Sequence, residues 1–283
     1  MPMSPSSSAQ AAREAVAQRL KELRADAGIT GPELASHCGW SHPKTYRIEG
    51  ARTPPSPDDI RRWCEACGAA GQADDIIAQS RTAESMYTEW RRKARTGLKQ
   101  LQQSYVPLFK ATKLFRVYSP TMVPGLLQTE GYARGLMSTI TQFRGIPNDV
   151  ADAVAARLER SRIIHEPGYR FSMVIEEPVL HYQLGDQDAM AAQLGYLLTA
   201  GALPQVSLGI IPSATTARPM WPQELFHMYD ETLVSVELLA ARVQITQPSE
   251  IALYIKAFDK LRDLAVYGAE ARALIVRALD AIR

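Results

Sequence analysis

The chain has 283 residues with a formal net charge of +2, and 46% of its residues are hydrophobic and 22% charged. That length suits about two domains, and the near-neutral balance excludes a polycation that would hold nucleic acid by overall charge alone. No apolar run approaches the roughly 20 residues of a membrane span, and the Ser- and Pro-rich start, Met1 to Gln10, lacks the basic and apolar parts of a signal peptide, so a cytoplasmic, nucleoid-associated protein is expected.

Residues 1–12 read as a disordered arm. An amphipathic helix is predicted from Arg13 to Ala27, with Val16, Leu20 and Leu23 on one stripe and Gly28 as its stop. Thr30-Gly31-Pro32-Glu33 opens the next helix. Thr30 and Glu33 have the spacing of a capping box, and Pro32 suits an early helical position. Leu34 and Ala35 face inward, and Gly39 supplies the positive φ of a sharp turn. Ser41 then caps a second short helix, Pro43 to Glu49. Two short helices joined in this way are the pattern of a helix-turn-helix, which sets its second helix in the major groove of double-stranded DNA.

Helical spacing sorts that second helix into faces. Thr45 and Ile48 point inward, and Pro43, Tyr46, Arg47 and Gly50 outward. The expected DNA-binding residues are Ser41, His42, Pro43, Lys44, Tyr46, Arg47 and Arg52. Arg47 is the candidate for reading a guanine, because its fork matches O6 and N7 together. His42 suits a base or a phosphate, and Tyr46 a sugar or a thymine methyl. Lys44 and Arg52 suit phosphates, which fix register without specifying sequence. The first amides of the helix Gly31 to Cys38 are a further candidate phosphate site.

Three prolines make Arg52 to Pro57 a loop. Ser56 or Asp58 caps a helix with Ile60, Trp63, Cys64 and Cys67 inward, ended by Gly68, and a short helix from about Gln72 to Gln79 closes a helical domain over 13–81. A connector helix is predicted over 82–110, with Trp90, Leu98, Leu101 and Tyr105 at helical spacing and a basic, solvated face at Arg91, Arg92, Lys93, Arg95 and Lys99. From 111 to 283 the texture changes. Strands are expected at 113–118, 171–176, 206–211, 224–229, 233–238 and 242–245. Helices are expected near 132–141, 147–165, 186–202, 248–264 and 269–282. The fold class is therefore mixed: an all-α helix-turn-helix N-terminal domain followed by an α+β C-terminal domain.

Cysteine usage does not point to chemistry. Cys38, Cys64 and Cys67 are an odd set for a disulfide framework, and Cys64-Glu65-Ala66-Cys67 lacks the second pair that a zinc site needs. The pair is expected to be core, with no metal and no cofactor. His165, His181 and His227 stand beside no catalytic motif, so no enzyme is expected. Arg134, Arg157 and Arg160 would suit an anionic ligand, although as helix residues they are expected to be solvated or salt-bridged.

Leu23 through Gly68 resembles the lambda-repressor-like Xre family of helix-turn-helix regulators, on Leu34-Ala35, Gly39-Trp40-Ser41, Arg47-Ile48-Glu49 and Pro55-Ser56. The rest is similar to the C-terminal domain of actinobacterial antitoxin-like regulators. The matching pieces are Pro124 to Thr129 (PGLLQT), Tyr132-Ala133-Arg134, Ala156-Arg157-Leu158, Gln193-Leu194 and Val206 to Pro212. The resemblance implies a transcriptional regulator of development or secondary metabolism, controlled through its C-terminal domain by a small protein encoded nearby. The alternative is a ligand-sensing regulator with a small-molecule pocket in that domain. A palindromic operator read by a homodimer is the expected mode of binding.

Overall fold

The computed structural model describes residues 5–89 and 94–282, with side chains over 10–80 and 94–282. The chain divides into two compact units, Met1–Thr88 and Glu89–Arg283.

The N-terminal unit is helical: α1 (Pro5–Asp26), α2 (Gly31–Cys38), α3 (His42–Glu49), α4 (Pro57–Ala66) and α5 (Ala73–Met86). A short 3₁₀ turn at Ala70–Gln72 precedes α5, and a three-residue strand, β1 (Tyr87–Glu89), follows it. Helix α1 starts at Pro5, so the expected arm is helical from there, since Ser and Ala residues carry no helix breaker after Pro5. Leu20, Leu34, Ile48, Ile60, Trp63 and Cys64 are fully buried and form one core with Val16, Leu23, Cys38, Ile76 and Ile77.

The predicted connector helix is broken. After α5 the chain is extended at β1 and resumes in a turn with Gly97 at φ +99°. Two short helices follow, α6 (Lys99–Ser104) and α7 (Val106–Ala111), the second opened by Pro107. The cause lies fifty residues away. The Asp149 carboxylate accepts from the amides of Leu98 at 2.7 Å and Lys99 at 2.8 Å, capping α6. A side chain on Gly97 would collide with that carboxylate. The stripe of Leu98 and Leu101 is buried against Ala133, Met137, Val150 and Val154, so these residues belong to the C-terminal unit. Trp90, Arg91, Arg92 and Lys93 lie outside the described residues.

Within the C-terminal unit the strands are β2 (Leu114–Ser119), β3 (Arg170–Glu176), β4 (Val206–Ile211), β5 (Phe226–Tyr229), β6 (Leu233–Glu237) and β7 (Ala241–Ile245). They form a mixed sheet in the order β7-β6-β5-β2-β3-β4. The β2-β3-β4 half is parallel and the β5-β6-β7 half antiparallel. Helices α8 (Glu130–Arg144) and α9 (Val150–Ser161) lie between β2 and β3, and α10 (Gln187–Ala200) between β3 and β4. Helices α11 (Pro248–Arg262) and α12 (Gly268–Ile282) close the chain.

Register decides what each face of the sheet carries, because directly paired residues point the same way. One face bears Phe115, Val117, Phe171, Met173, Ile175, Leu208 and Ile210 under the parallel half, packed on Leu194, Leu197, Leu274 and Ile275. The same face continues into the antiparallel half as His227, Ser235, Glu237, Arg242 and Gln244. The opposite face carries Tyr118, Val174, Phe226 and Val236, with Tyr254 and Phe258 of α11 standing edge-on to Phe226.

Candidate nucleic-acid interface

Helix α3 is braced from three sides. At its start, Gly39 ends α2 in the left-handed region at φ +70°, and its amide together with that of Trp40 closes the turn onto Ser36 and Ala35. Thr30 caps α2 with the predicted box: its hydroxyl accepts from the Glu33 amide while the Glu33 carboxylate accepts from the Thr30 amide at 2.7 Å. On the inner face Thr45 and Ile48 are buried, and Thr45 Oγ1 accepts from Trp40 Nε1 at 3.0 Å. At the end, Arg24 of α1 forks onto the Glu49 carboxylate at 2.6 and 3.2 Å and also donates to the Ile29 carbonyl. Such two-point arginine–carboxylate pairing fixes orientation as well as distance, so α3 is held against α1 as a rigid rod.

The outer face follows the spacing argument. His42, Pro43, Tyr46, Arg47 and Gly50 are exposed, as is Arg52 just beyond. Among the described residues Arg47 and Arg52 have no carboxylate partner, so two guanidinium groups stand unspent on one surface. Ser41 occupies the position before α3, but its hydroxyl makes no cap bond and is exposed. The expected cap is therefore positional only. Pro43 removes one donor from that turn and the Lys44 amide bonds the Ser41 carbonyl instead.

Two positions differ from the sequence reading. The Lys44 ammonium is ion-paired with Asp59 at 2.5 Å and lies 4.6 Å from the Trp40 ring. It ties α3 to the start of α4, where Ser56 and Asp59 form the second capping box. The Lys44 pair and the Ser56 bonds hold the Asp59 carboxyl below the ordinary aspartate range against the opposing effect of burial. The start of α2 is also a poor phosphate site. Pro32 has no amide hydrogen, the Glu33 amide is spent on Thr30 and the Leu34 amide on the Thr30 carbonyl, and the Glu33 carboxylate sits there ionised. Tyr46 closes over it: a β-carbon on Gly31 would stand 3.3 Å from the Tyr46 hydroxyl.

Cys38 and Cys64 are buried and Cys67 is half-buried, all free. Burial pushes the Cys38 and Cys67 thiols up to about 11 and raises Cys64 as well. At Cys38 and Cys67 the thiolate, the reactive form, is then about a hundredfold scarcer at neutral pH than for an ordinary cysteine. Native protein treated with iodoacetamide is expected to stay unmodified at all three positions by mass spectrometry long after a free thiol has reacted; fast labelling of Cys67 would contradict a packing role. Among the described residues no group of three or more His, Cys, Asp or Glu is placed to hold a metal ion, and no helix is long and apolar enough to cross a membrane.

In the C-terminal unit the PGLLQT segment is a structural hub. Gln128 donates to the Val123 carbonyl at 2.7 Å and accepts from Arg157, and the Thr129 amide donates to Gln193, which donates back to the Leu127 carbonyl at 2.7 Å. The strings Pro124–Thr129, Ala156–Leu158 and Gln193–Leu194, separate in sequence, meet in one hydrogen-bonded network. Arg134 is paired with Glu130 at an exposed helix position, as expected. Arg157 and Arg160 depart from that expectation: both are half-buried, and neither is ion-paired among the described residues. Arg157 is hydrogen-bonded to Gln102 and Gln128, and Arg160 to the Gln102 carbonyl.

A family model described as a domain of unknown function, DUF5753, matches residues 103–277. The chain belongs to the DUF5753 family. In this DUF5753 protein a helix-turn-helix domain model also matches residues 15–75, the span of α1 to α4 and the start of α5. With that domain in front, it is of the DNA-binding regulatory kind. A comparison with curated proteins finds no match. A solved structure described as that of TrmBL2, an archaeal chromatin protein with a novel mode of DNA binding, is similar over 85% of this chain and 88% of that chain. The identity is 12% and the TM-score 0.33, a likeness too slight to carry an argument.

Proposed function

We propose that this protein is a sequence-specific transcriptional regulator that reads a palindromic operator as a homodimer, with α3 in the major groove. The observation that carries the reading is two exposed guanidinium groups with no carboxylate partner among the described residues, Arg47 on the outer face of α3 and Arg52 just beyond its end, on a helix locked on its inner side by Thr45, Ile48 and Glu49. Arg47 reads a guanine, His42 and Tyr46 flank it at the base edges and sugars with Pro43 against the groove wall, and Ser41 and Arg52 hold phosphates. Lys44, engaged by Asp59, acts chiefly by setting the angle of α3 and meets phosphate only through its remaining donors.

Arg47→Ala is expected to cost about 1–3 kcal/mol of discrimination at one base position. Arg52→Ala should weaken all sequences alike and flatten the salt dependence by about one unit of slope. Fluorescence anisotropy on an operator selected from genomic fragments, against scrambled DNA at several salt concentrations, separates the two. Equal loss on both DNAs for Arg47→Ala would sink the base-reading role. Finer than this, the C-terminal domain is proposed to receive control from a small protein partner, in the manner of antitoxin-like regulators. Supporting that reading, Phe143 and Leu239 stand 71% and 76% exposed, brought close by the bond from Arg144 to the Leu239 carbonyl. Control by a small ligand is favoured by a different observation, the arginines that face the antiparallel half of the sheet.

A further inference from the structure

The polar end of the inner sheet face is roofed by α6, α7 and α9, and what gathers there is an excess of positive charge. Arg160 of α9 lies over Tyr105 with its guanidinium carbon 4.9 Å from the ring centre, and over Phe109 at 4.6 Å. Arg242 of β7 meets the same Tyr105 ring at 4.9 Å, so the two guanidinium groups are no further apart than these two distances together. Arg157 stands one helical turn before Arg160. Glu237 is the cross-strand neighbour of Arg242, and His227 lies on the same sheet face.

This cluster is not neutralised from within. Among the described residues none of the three arginines has a carboxylate within ion-pairing distance. Arg242 is only 6% exposed, yet its Nε has no hydrogen-bond partner, and neither has the buried Nε of Arg160. Burial, then the charge of Arg160, lowers the Arg157 guanidinium to about 10, and burial lowers Arg160 too. Burial keeps His227 neutral at physiological pH, with the three arginines acting in the same direction against Glu237. These three arginines share the Glu237 carboxylate, which also faces Arg144, so positive charge is in excess here. Buried charges without partners are costly in a fold that serves only stability. Arg157 and Arg160 nonetheless keep part of their surface accessible, so the cluster opens to solvent.

We propose that Arg157, Arg160 and Arg242, with Tyr105 between the last two, form a binding site for a small dianion, a phosphoryl group or a dicarboxylate. Guanidinium forks with unspent N–H donors match the oxygen geometry of either group, and the charge of such a ligand offsets the local excess. Phe109 and Tyr105 supply an apolar wall for the body that carries the anion. Glu237 and His227 would then select against ligands with further negative charge and for a hydroxyl or amine beside it.

The test uses the full chain and no DNA, so its outcome is separate from that of the operator reading. Inorganic phosphate, phenyl phosphate and succinate are titrated by calorimetry, with acetate as the singly charged control. At least one dianion is expected to bind saturably and better than acetate. Arg160→Gln and Arg242→Gln should each weaken it about tenfold or more. Arg162→Gln, at an exposed position on the same helix end, should leave it unchanged. Which dianion wins tells phosphoryl from dicarboxylate. Arg242→Lys keeps the charge but not the fork and should bind in between. Arg242→Met removes an uncompensated charge and should melt, without ligand, no lower than wild type. The proposal is overturned if no dianion saturates below about 10 mM, an affinity too weak to serve a cellular ligand. It is equally overturned if the arginine variants bind as wild type does.

Discussion

Trp63→Ala is expected to cost the N-terminal unit about 3–5 kcal/mol, the usual range for deleting a fully buried large aromatic. Trp63 has no exposed surface and stands at the centre of the helical core, against residues of α1, α2, α3 and α5. Its Nε1 donates to the Leu20 carbonyl at 2.9 Å, a bond from α4 to α1 that the smaller residue cannot replace. Its ring also stands 6.1 Å from that of Trp40, which bonds Thr45 and underlies Lys44. The cavity therefore opens beneath the start of α3. Small domains have about 5–15 kcal/mol in all, so the loss should leave this unit largely unfolded near physiological temperature and should abolish operator binding, while the C-terminal unit keeps its protection. Amide hydrogen exchange on the full chain reads the two units separately. Unchanged protection across α1 to α4 in the variant would show that Trp63 is not the keystone of this core.

A second large effect is expected on the other unit. Glu176, buried at the end of β3, accepts from the Tyr118 hydroxyl at 2.8 Å and from both terminal nitrogens of Arg218 at 3.0 and 2.6 Å. The Tyr118 hydroxyl is raised above its ordinary pKa by burial and by Glu176, so it remains a donor at any physiological pH. Arg218→Ala leaves the carboxylate buried with one neutral partner, and breaking a buried pair from one side costs about 3–5 kcal/mol, here toward the lower end because Arg218 keeps some contact with water. Arg218→Ala combined with Glu176→Gln removes the stranded charge and should recover much of that loss. Urea unfolding of the wild type and the two variants checks this. A double variant as unstable as the single would show that the segment carrying Arg218, and not the charge, is what matters.

Both effects rest on contacts between distant parts of the chain, and this is where sequence reading reached its limit. The helix-turn-helix was legible because its determinants are local. A capping box spans four residues, a left-handed turn needs one glycine, and the inward pair Thr45 and Ile48 is a matter of helical spacing. The strand at 113–118 was legible for the same reason, through the alternation of its residues. The exposed face of α3, with Pro43, Tyr46 and Arg47, came from spacing alone. That Lys44 is engaged did not, because its partner Asp59 belongs to the next helix.

The sequence by itself determined the two-part architecture, the position of the helix proposed to read DNA and the type of nearly every element, since each is encoded within a few residues. Only the tertiary structure decided the rest. Residues 82–110 read as one connector helix until Asp149, some fifty residues further along the chain, caps a new start after Gly97. The strand expected at 242–245 does not tell that Arg242 is buried against Tyr105 with its Nε left without a partner. Periodicity tells which side chains share a face; what lies over that face is set by residues remote in sequence, and a local pattern carries no information about them.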